Sequence, residues 1–275
     1  MDVIDVDYFE QYGEQTLGLL PSPYDSRDYA FTDITKLFAL RIPDDYETPN
    51  NVVYDQGQTS MCAAFSSNML RYMQENDIEK QSGLSEPLSM GFTYADRLDG
   101  EDFEGMYLRS VASKWVSDGS CLKSDFPYIG TYEYVKEQFN KSNKSELLKK
   151  ANPFRISSYY TCRSREEVQT AIMTTKGVLL GIPVFKSFYY PNKYGIIEYD
   201  KNKGERALGG HAVLIRGWRT INNKLYWVLQ NSWGDTWGNK GSCLLPEDYP
   251  WQDDAYVLVD NITELKFNQY KEKFA

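Results

Sequence analysis

At 275 residues, 41% of them hydrophobic, the chain is long enough to bury a substantial core as one large or two smaller domains. A formal charge of −9 disfavours contact with nucleic-acid phosphates, and no run of about eighteen apolar residues is present to span a membrane. The first residues, Met1 to Asp7, are acidic and lack the apolar centre of a secretory signal, so the expected location is cytoplasmic.

Residues 1–40 are rich in proline and turn formers around 17–29 and poor in helical periodicity. A polar, turn-prone loop at 55–60 then runs into a helical pattern, with Phe65, Met69, Tyr72 and Met73 at three- and four-residue spacing. This predicts a helix over 62–76 with Ser60 or Thr59 as its cap and Cys62 in its first turn. Unsatisfied amides and the positive end of the helix dipole favour thiolate over thiol at that position. A further helix is expected over 106–118, closed by Gly119. Residues 132–151 read as an exposed, charged helical insertion broken at 140–143.

The pattern then changes. Residues 154–161 alternate as a strand would, and Ser164 with Glu167 forms a capping-box pattern opening a helix to about 175. Strands are expected at 178–185, 211–218, 225–230, 241–245 and 255–259, with a turn at 221–223 between the second and third. Helices dominate the first half and strands the second, which indicates an α+β fold of two subdomains with a cleft between them. Four cysteines are present, Cys62, Cys121, Cys162 and Cys243. Setting Cys62 aside leaves an odd number, a poor disulfide framework, and the other three are expected to be reduced and buried. His211 is the only histidine, so any Cys–His chemistry must use it, and no cluster has zinc spacing.

Three stretches stand in order: Gln56-Gly57 with Cys62 six residues after the glutamine, Gly209-Gly210-His211-Ala212-Val213, and Gln230-Asn231-Ser232-Trp233-Gly234-Asp235-Thr236-Trp237-Gly238. On these the chain resembles papain-like cysteine peptidases over roughly residues 40–262, nearer to bacterial, phage or large-virus members than to papain itself. The resemblance implies a papain-like domain over 41–275, mainly helical over 41–152 and mainly antiparallel β over 153–262, with a tail at 263–275. Residues 42–53 resemble the family's first strand, and Leu84-Ser85-Glu86 a stretch that opens a helix. Residues 1–40 are then either a short pro-segment lying across the cleft and later removed, or an extension packed on the surface.

The implied roles are Cys62 as nucleophile, His211 as proton carrier and Asn231 as its orienter. Gln56 is implied as oxyanion donor, with the backbone amide of Cys62 as the second. The expected resting state is a thiolate–imidazolium pair. Trp233 is expected to shield the His211–Asn231 bond. Gly105 is expected to offer a backbone edge to extended substrate, beside Gly210. Ala212 and one of Leu179 or Leu180 are expected to line an apolar pocket for the second residue before the scissile bond. The loop Phe188-Tyr189-Tyr190-Pro191 is expected to close one side of the groove, the alternative being exposed tyrosines with no role there. A cysteine endopeptidase acting on protein or peptide substrate follows, needing no metal or cofactor, with its own N-terminal segment as a possible occupant of the cleft. The alternatives are a Cys-His-Asn amidase or acyl transferase, and a catalytically silent homologue used for binding. Thr59 stands where secreted relatives carry a bridging cysteine, and Ala63 where a tryptophan usually follows the nucleophile. Gly210 stands where an acidic residue often precedes the histidine.

Overall fold

The computed structural model describes residues 15–25, 28–32, 41–76, 83–97, 104–251 and 254–260; the expected tail at 263–275 lies outside them. Helix α1 (Cys62–Glu75) is buried on nearly every side, as a central core helix must be. It is not capped as expected. Met61 is the N-cap and makes no side-chain cap bond, because the Thr59 hydroxyl donates to the Gln56 carbonyl at 2.7 Å instead. Helix α2 (Met90–Ala95) starts later than the resemblance implied, where the Ser89 side chain accepts from the amide of Phe92. Helix α3 (Leu108–Ser117) likewise begins two residues late.

The expected surface insertion is two helices, α4 (Tyr132–Lys141) and α5 (Lys144–Ala151). They are not wholly exposed: Tyr132, Val135, Phe139 and Leu147 are buried, and the Phe139 ring packs edge-on against Phe92 and Phe126. An amphipathic stripe on a charged helix reads as surface until its partner is seen. Helix α6 (Arg165–Thr175) carries the capping box read from the sequence, with Ser164 and Glu167 satisfying each other's amides.

The strands are β1 (Leu19–Leu20), β2 (Tyr46–Glu47), β3 (Met106–Tyr107), β4 (Ser158–Thr161), β5 (Val178–Val184), β6 (Gly209–Ile221), β7 (Lys224–Gln230), β8 (Ser242–Pro246) and β9 (Ala255–Val259). They form one sheet in the order β3-β1-β6-β5-β9-β4, with β2 and β7 also on β6 and β8 on β7. All pairs are antiparallel except β1 with β3. Asn222 and Asn223, both with positive φ, make the two-residue turn from β6 to β7. The expected strand at 42–53 is only the two residues of β2.

Two apolar clusters result. One joins α1 to α5 with the cleft-facing side of the sheet, and includes Leu179, Ala212 and Leu214. The other fills the curl of the sheet, and includes Leu180, Ile182, Val213 and Ile215. Alternation along β5 and β6 assigns successive residues to opposite clusters. The α+β reading therefore holds, and α1 contributes its core residues to the first cluster, against the cleft-facing side of β6. Among the described residues no helix is long and apolar enough to cross a membrane.

Candidate active site

Cys62 opens α1, and its thiol is fully buried. Backbone of Ala212 on β6, of Gly18, and of Ala63 and Cys62 in the first turn lies near the sulfur and favours its thiolate form. The Ala212 contact brings β6, one residue past His211, against the thiol. His211 Nε2 donates to Asn231 Oδ1 at 2.7 Å, while buried Nδ1 has no hydrogen-bond partner among the described residues. Asn231 is fixed in turn: its backbone amide donates to the Gly241 carbonyl at 2.8 Å, and its Oδ1 also accepts from the Ser232 backbone amide at 2.8 Å. The Trp233 ring covers the imidazole with centroids 4.8 Å apart. Trp237 and Phe188 pack against Trp233, and Tyr189 stacks on it at 5.1 Å. Phe188 and Tyr189 are buried, so this loop backs the tryptophan wall, and the alternative of exposed tyrosines fails for Tyr189.

Gln56 is held from both ends. Its Oε1 accepts from the Ser232 hydroxyl at 2.7 Å, and its Nε2 donates to the Thr59 carbonyl at 2.7 Å. The same Nε2 donates to a second carbonyl at 3.2 Å, that of Thr16. Ser232, which the sequence reading passed over, therefore aims Gln56 from within the Asn-Ser-Trp run.

The N-terminal residues fill the cleft. Besides the Thr16–Gln56 contact, Gly18 backbone lies near the Cys62 sulfur and the Gly18 carbonyl accepts from the Met106 amide at 2.9 Å. Leu19 pairs with Gly210 on one side and Met106 on the other. A Cβ at Gly105 would collide with the Gly18 carbonyl, and one at Gly210 would stand 2.5 Å from that of Leu19. Both glycines thus admit an extended backbone. Gly105 is braced from behind: its amide donates to the Tyr94 hydroxyl at 2.9 Å, its carbonyl accepts from Arg97, and the Arg97 guanidinium lies 3.5 Å from the Tyr132 ring centre. Farther along, Asp28 pairs with Arg109, and Phe31 joins the sheet cluster. Residues 16–19 lie in the cleft, whereas Pro21, Pro23 and Tyr24 are exposed.

Leu180 is misplaced in the sequence reading. It belongs to the cluster inside the curl, and the residue of β5 that meets the cleft occupant is its neighbour Gly181, beside Leu19. The alternation of the strand decides this, and a run apolar on both faces hides it. Asp254, just before β9, was also missed, for want of any local motif. It is buried near Leu19, and its carboxylate accepts from the Ser22 amide at 3.3 Å.

The resting ionisation differs from expectation. Burial pushes the Cys62 thiol above its ordinary value, against the pull of the surrounding backbone. Burial pushes His211 down to about 4, against the Asn231 hydrogen bond. With the cleft filled, both groups rest neutral, because desolvation disfavours either charge. All four cysteines are free.

A family profile described as papain family cysteine protease matches residues 44–249. Cathepsin B-like cysteine proteinase 3 of Caenorhabditis elegans is 31% identical over 160 residues, covering 52% of this chain and 42% of that protein. Mouse cathepsin K is 26% identical over 243 residues, covering 86% and 69%. The chain spans about half or less of the length of the first curated relatives, 42%, 40% and 52%. Among solved structures, Xylellain, a cysteine protease from Xylella fastidiosa, has a TM-score of 0.73 at 19% identity, covering 90% of this chain and 97% of its own. Procathepsin B S9 from Trypanosoma congolense has 0.69 at 17%, covering 92% and 89%. With the profile running from before β2 to beyond β8 and taking in Gln56, Cys62, His211 and Asn231, the chain belongs to the papain family of cysteine proteases.

Proposed function

We propose that this chain is a cysteine endopeptidase kept closed by its own N-terminal segment. One observation carries the reading: a stretch of peptide backbone, Thr16 to Leu19, lies in the cleft with a carbonyl on Gln56 and extended pairing to Met106 and Gly210 on either side. In the open enzyme the Cys62 proton passes to His211 and the thiolate attacks the carbonyl carbon of a peptide bond. The oxyanion is held by Gln56 Nε2 and the Cys62 amide. The amine leaves with the proton from His211. Water, deprotonated by the same ring, then hydrolyses the thioester and frees the carboxylate and the thiol. Asn231 keeps the ring turned for both transfers, and Trp233 keeps water from their hydrogen bond.

In the closed chain the segment dehydrates the pair, so the proton stays on sulfur. Displacing it restores water to the site and lowers the cost of separating charge. The likeness in fold to a procathepsin, and the contacts of residues 16–19 in the cleft and of Phe31 in the sheet cluster, both support the reading of a zymogen. The test is labelling by a thiol-directed epoxide together with digestion of an unfolded protein, both on a chain whose segment is lifted by Gly18→Ala, with the parent chain as the closed control. Labelling of Cys62, loss of both signals in Cys62→Ala, and release of new N-termini from the substrate are expected. Labelling without any peptide cleavage would replace the peptidase with an amidase.

A further inference from the structure

The N-terminal segment is anchored at two places. Residues 16–19 occupy the cleft, while residues 28–32 are built into the sheet at its far edge. There the Phe31 amide donates to the Thr161 carbonyl at 2.8 Å, and the Thr161 amide donates to the Tyr29 carbonyl at 3.0 Å. The backbone thus runs parallel to β4 on the side that β9 leaves free. The Thr32 amide donates to Glu167 Oε1 at 3.2 Å, part of the carboxylate whose other oxygen caps α6. Arg109 grips the Asp28 carboxylate through Nε and Nη2. Phe31 is 4% exposed, meets the Tyr160 ring edge-on and belongs to the cluster inside the curl.

The two anchors differ in what their removal would expose. Under residues 16–19 lies the cleft, a surface that works when wet. Under residues 28–32 lie a core site shaped to an aromatic ring and the outer edge of β4. A vacated aromatic site keeps much of its cavity, and an unpaired edge strand invites pairing with other chains. Between the anchors Ser22 is tied down, its amide donating to Asp254 and its hydroxyl accepting from the Arg109 amide. Beyond it, Tyr24 is 87% exposed and makes no backbone hydrogen bond among the described residues. Exposed, unbonded backbone is what a peptidase can draw into its cleft. Tyr29 gives the contrast, since its ring is 69% exposed but its carbonyl is held by Thr161.

We propose that Tyr24 marks the processing site. A second, opened copy of the enzyme hydrolyses the bond before or after it, the piece that fills the cleft leaves, and residues 28–32 stay as a permanent strand of the sheet. Water adds across one peptide bond, leaving a new carboxylate on the departing piece and a new amine on the enzyme. The chain's own Cys62 cannot make this cut while residues 16–19 fill its cleft. This rests on the peptidase reading above, and the removable piece then ends well short of residue 40.

Two experiments test it. In the first, full-length Cys62→Ala is incubated with a trace of Gly18→Ala enzyme, and the N-terminus of the product is sequenced. A product that begins at Tyr24 or Asp25 is expected, and one that begins later in the chain overturns the proposal. The second needs no activity of the chain itself. A recognition sequence for an unrelated site-specific protease is inserted after Tyr24, the folded chain is cut by that protease, and alkylation by iodoacetamide is followed at Cys62 and Cys162. Cys162, next to Thr161 and 1% exposed, reports on residues 28–32 as Cys62 reports on the cleft. Once cut, the cleft piece is held only as a separate peptide. Cys62 alkylation is then expected to rise about tenfold or more while Cys162 stays within about twofold. Phe31→Ala in the uncut chain is expected to do the reverse, baring Cys162 and sparing Cys62. After the cut, a Cys62 rate that does not move, or a Cys162 rate that rises with it, overturns the proposal. If the first experiment yields no new N-terminus, the peptidase reading fails, and the second alone decides whether residues 28–32 stay.

Discussion

Gly18→Ala is predicted to unseat the segment over Cys62 without touching the walls of the cleft. A methyl group at residue 18 would collide with the Ser60 carbonyl oxygen and stand 2.6 Å from the Ser60 Cα and carbonyl carbon. These are backbone atoms beside the start of α1 and have little room to yield. The segment must therefore lift, and it takes with it the Met106–Gly18 bond at 2.9 Å, the Gln56–Thr16 bond at 3.2 Å and the Gly18 contact with sulfur. At about 1 kcal/mol each, with part of the Leu19 burial also lost, the closed state weakens by about 2–4 kcal/mol. The open population then rises roughly 30- to 1000-fold. Alkylation by iodoacetamide, read peptide by peptide by mass spectrometry, follows that population. Cys121 and Cys243 are buried and serve as controls for global unfolding. A Cys62 rate within about twofold of the parent chain, or one rising only in step with Cys121 and Cys243, would refute the gating argument.

Three other outcomes are expected. In the parent chain the Cys62 alkylation rate stays low at pH 7 and climbs with pH through the alkaline range, since burial raises the thiol pKa and keeps the proton on sulfur. Gly18→Ala shifts that profile toward lower pH, and coincident profiles would contradict it. Tyr94→Phe removes the acceptor of the Gly105 amide and loosens the edge that pairs with extended backbone, raising KM about 3- to 10-fold with kcat nearly unchanged. A fall in kcat alone would remove Tyr94 from substrate positioning. Ser164→Ala breaks the capping box of α6 and costs about 1 kcal/mol, seen by calorimetry as a Tm lower by roughly 2–4 °C.

The groups proposed for chemistry were legible because each sits inside a short motif. Gln56 and Cys62 flank one turn, and Asn231 and Trp233 share another, so spacing alone brought them into view. The α+β class was legible from the change of periodicity near residue 154. Side-chain direction along β5 was not. Val178 to Val184 is buried on both faces, so nothing in its composition separates Leu180, which points into the curl, from Gly181, which faces the cleft. Asp254 was invisible for a different reason, since its setting is made by Leu19 and Gly181, both remote in sequence. The ionisation of Cys62 and His211 also could not be read from their neighbours in the chain. It depends on whether water reaches them, and the segment that excludes it is turn-rich and carries no motif.

That His211 stands alone among the side chains of its kind turns the imidazole into a built-in spectroscopic beacon. Its ring gives a single set of imidazole signals, which uniform labelling separates from the other aromatic rings by the shifts of the imidazole nitrogens and carbons. While the cleft is occupied the ring titrates only near pH 4, and readmitted water moves that titration upward. One resonance followed against pH therefore counts, in real time and without a substrate, how many molecules have thrown off their cover.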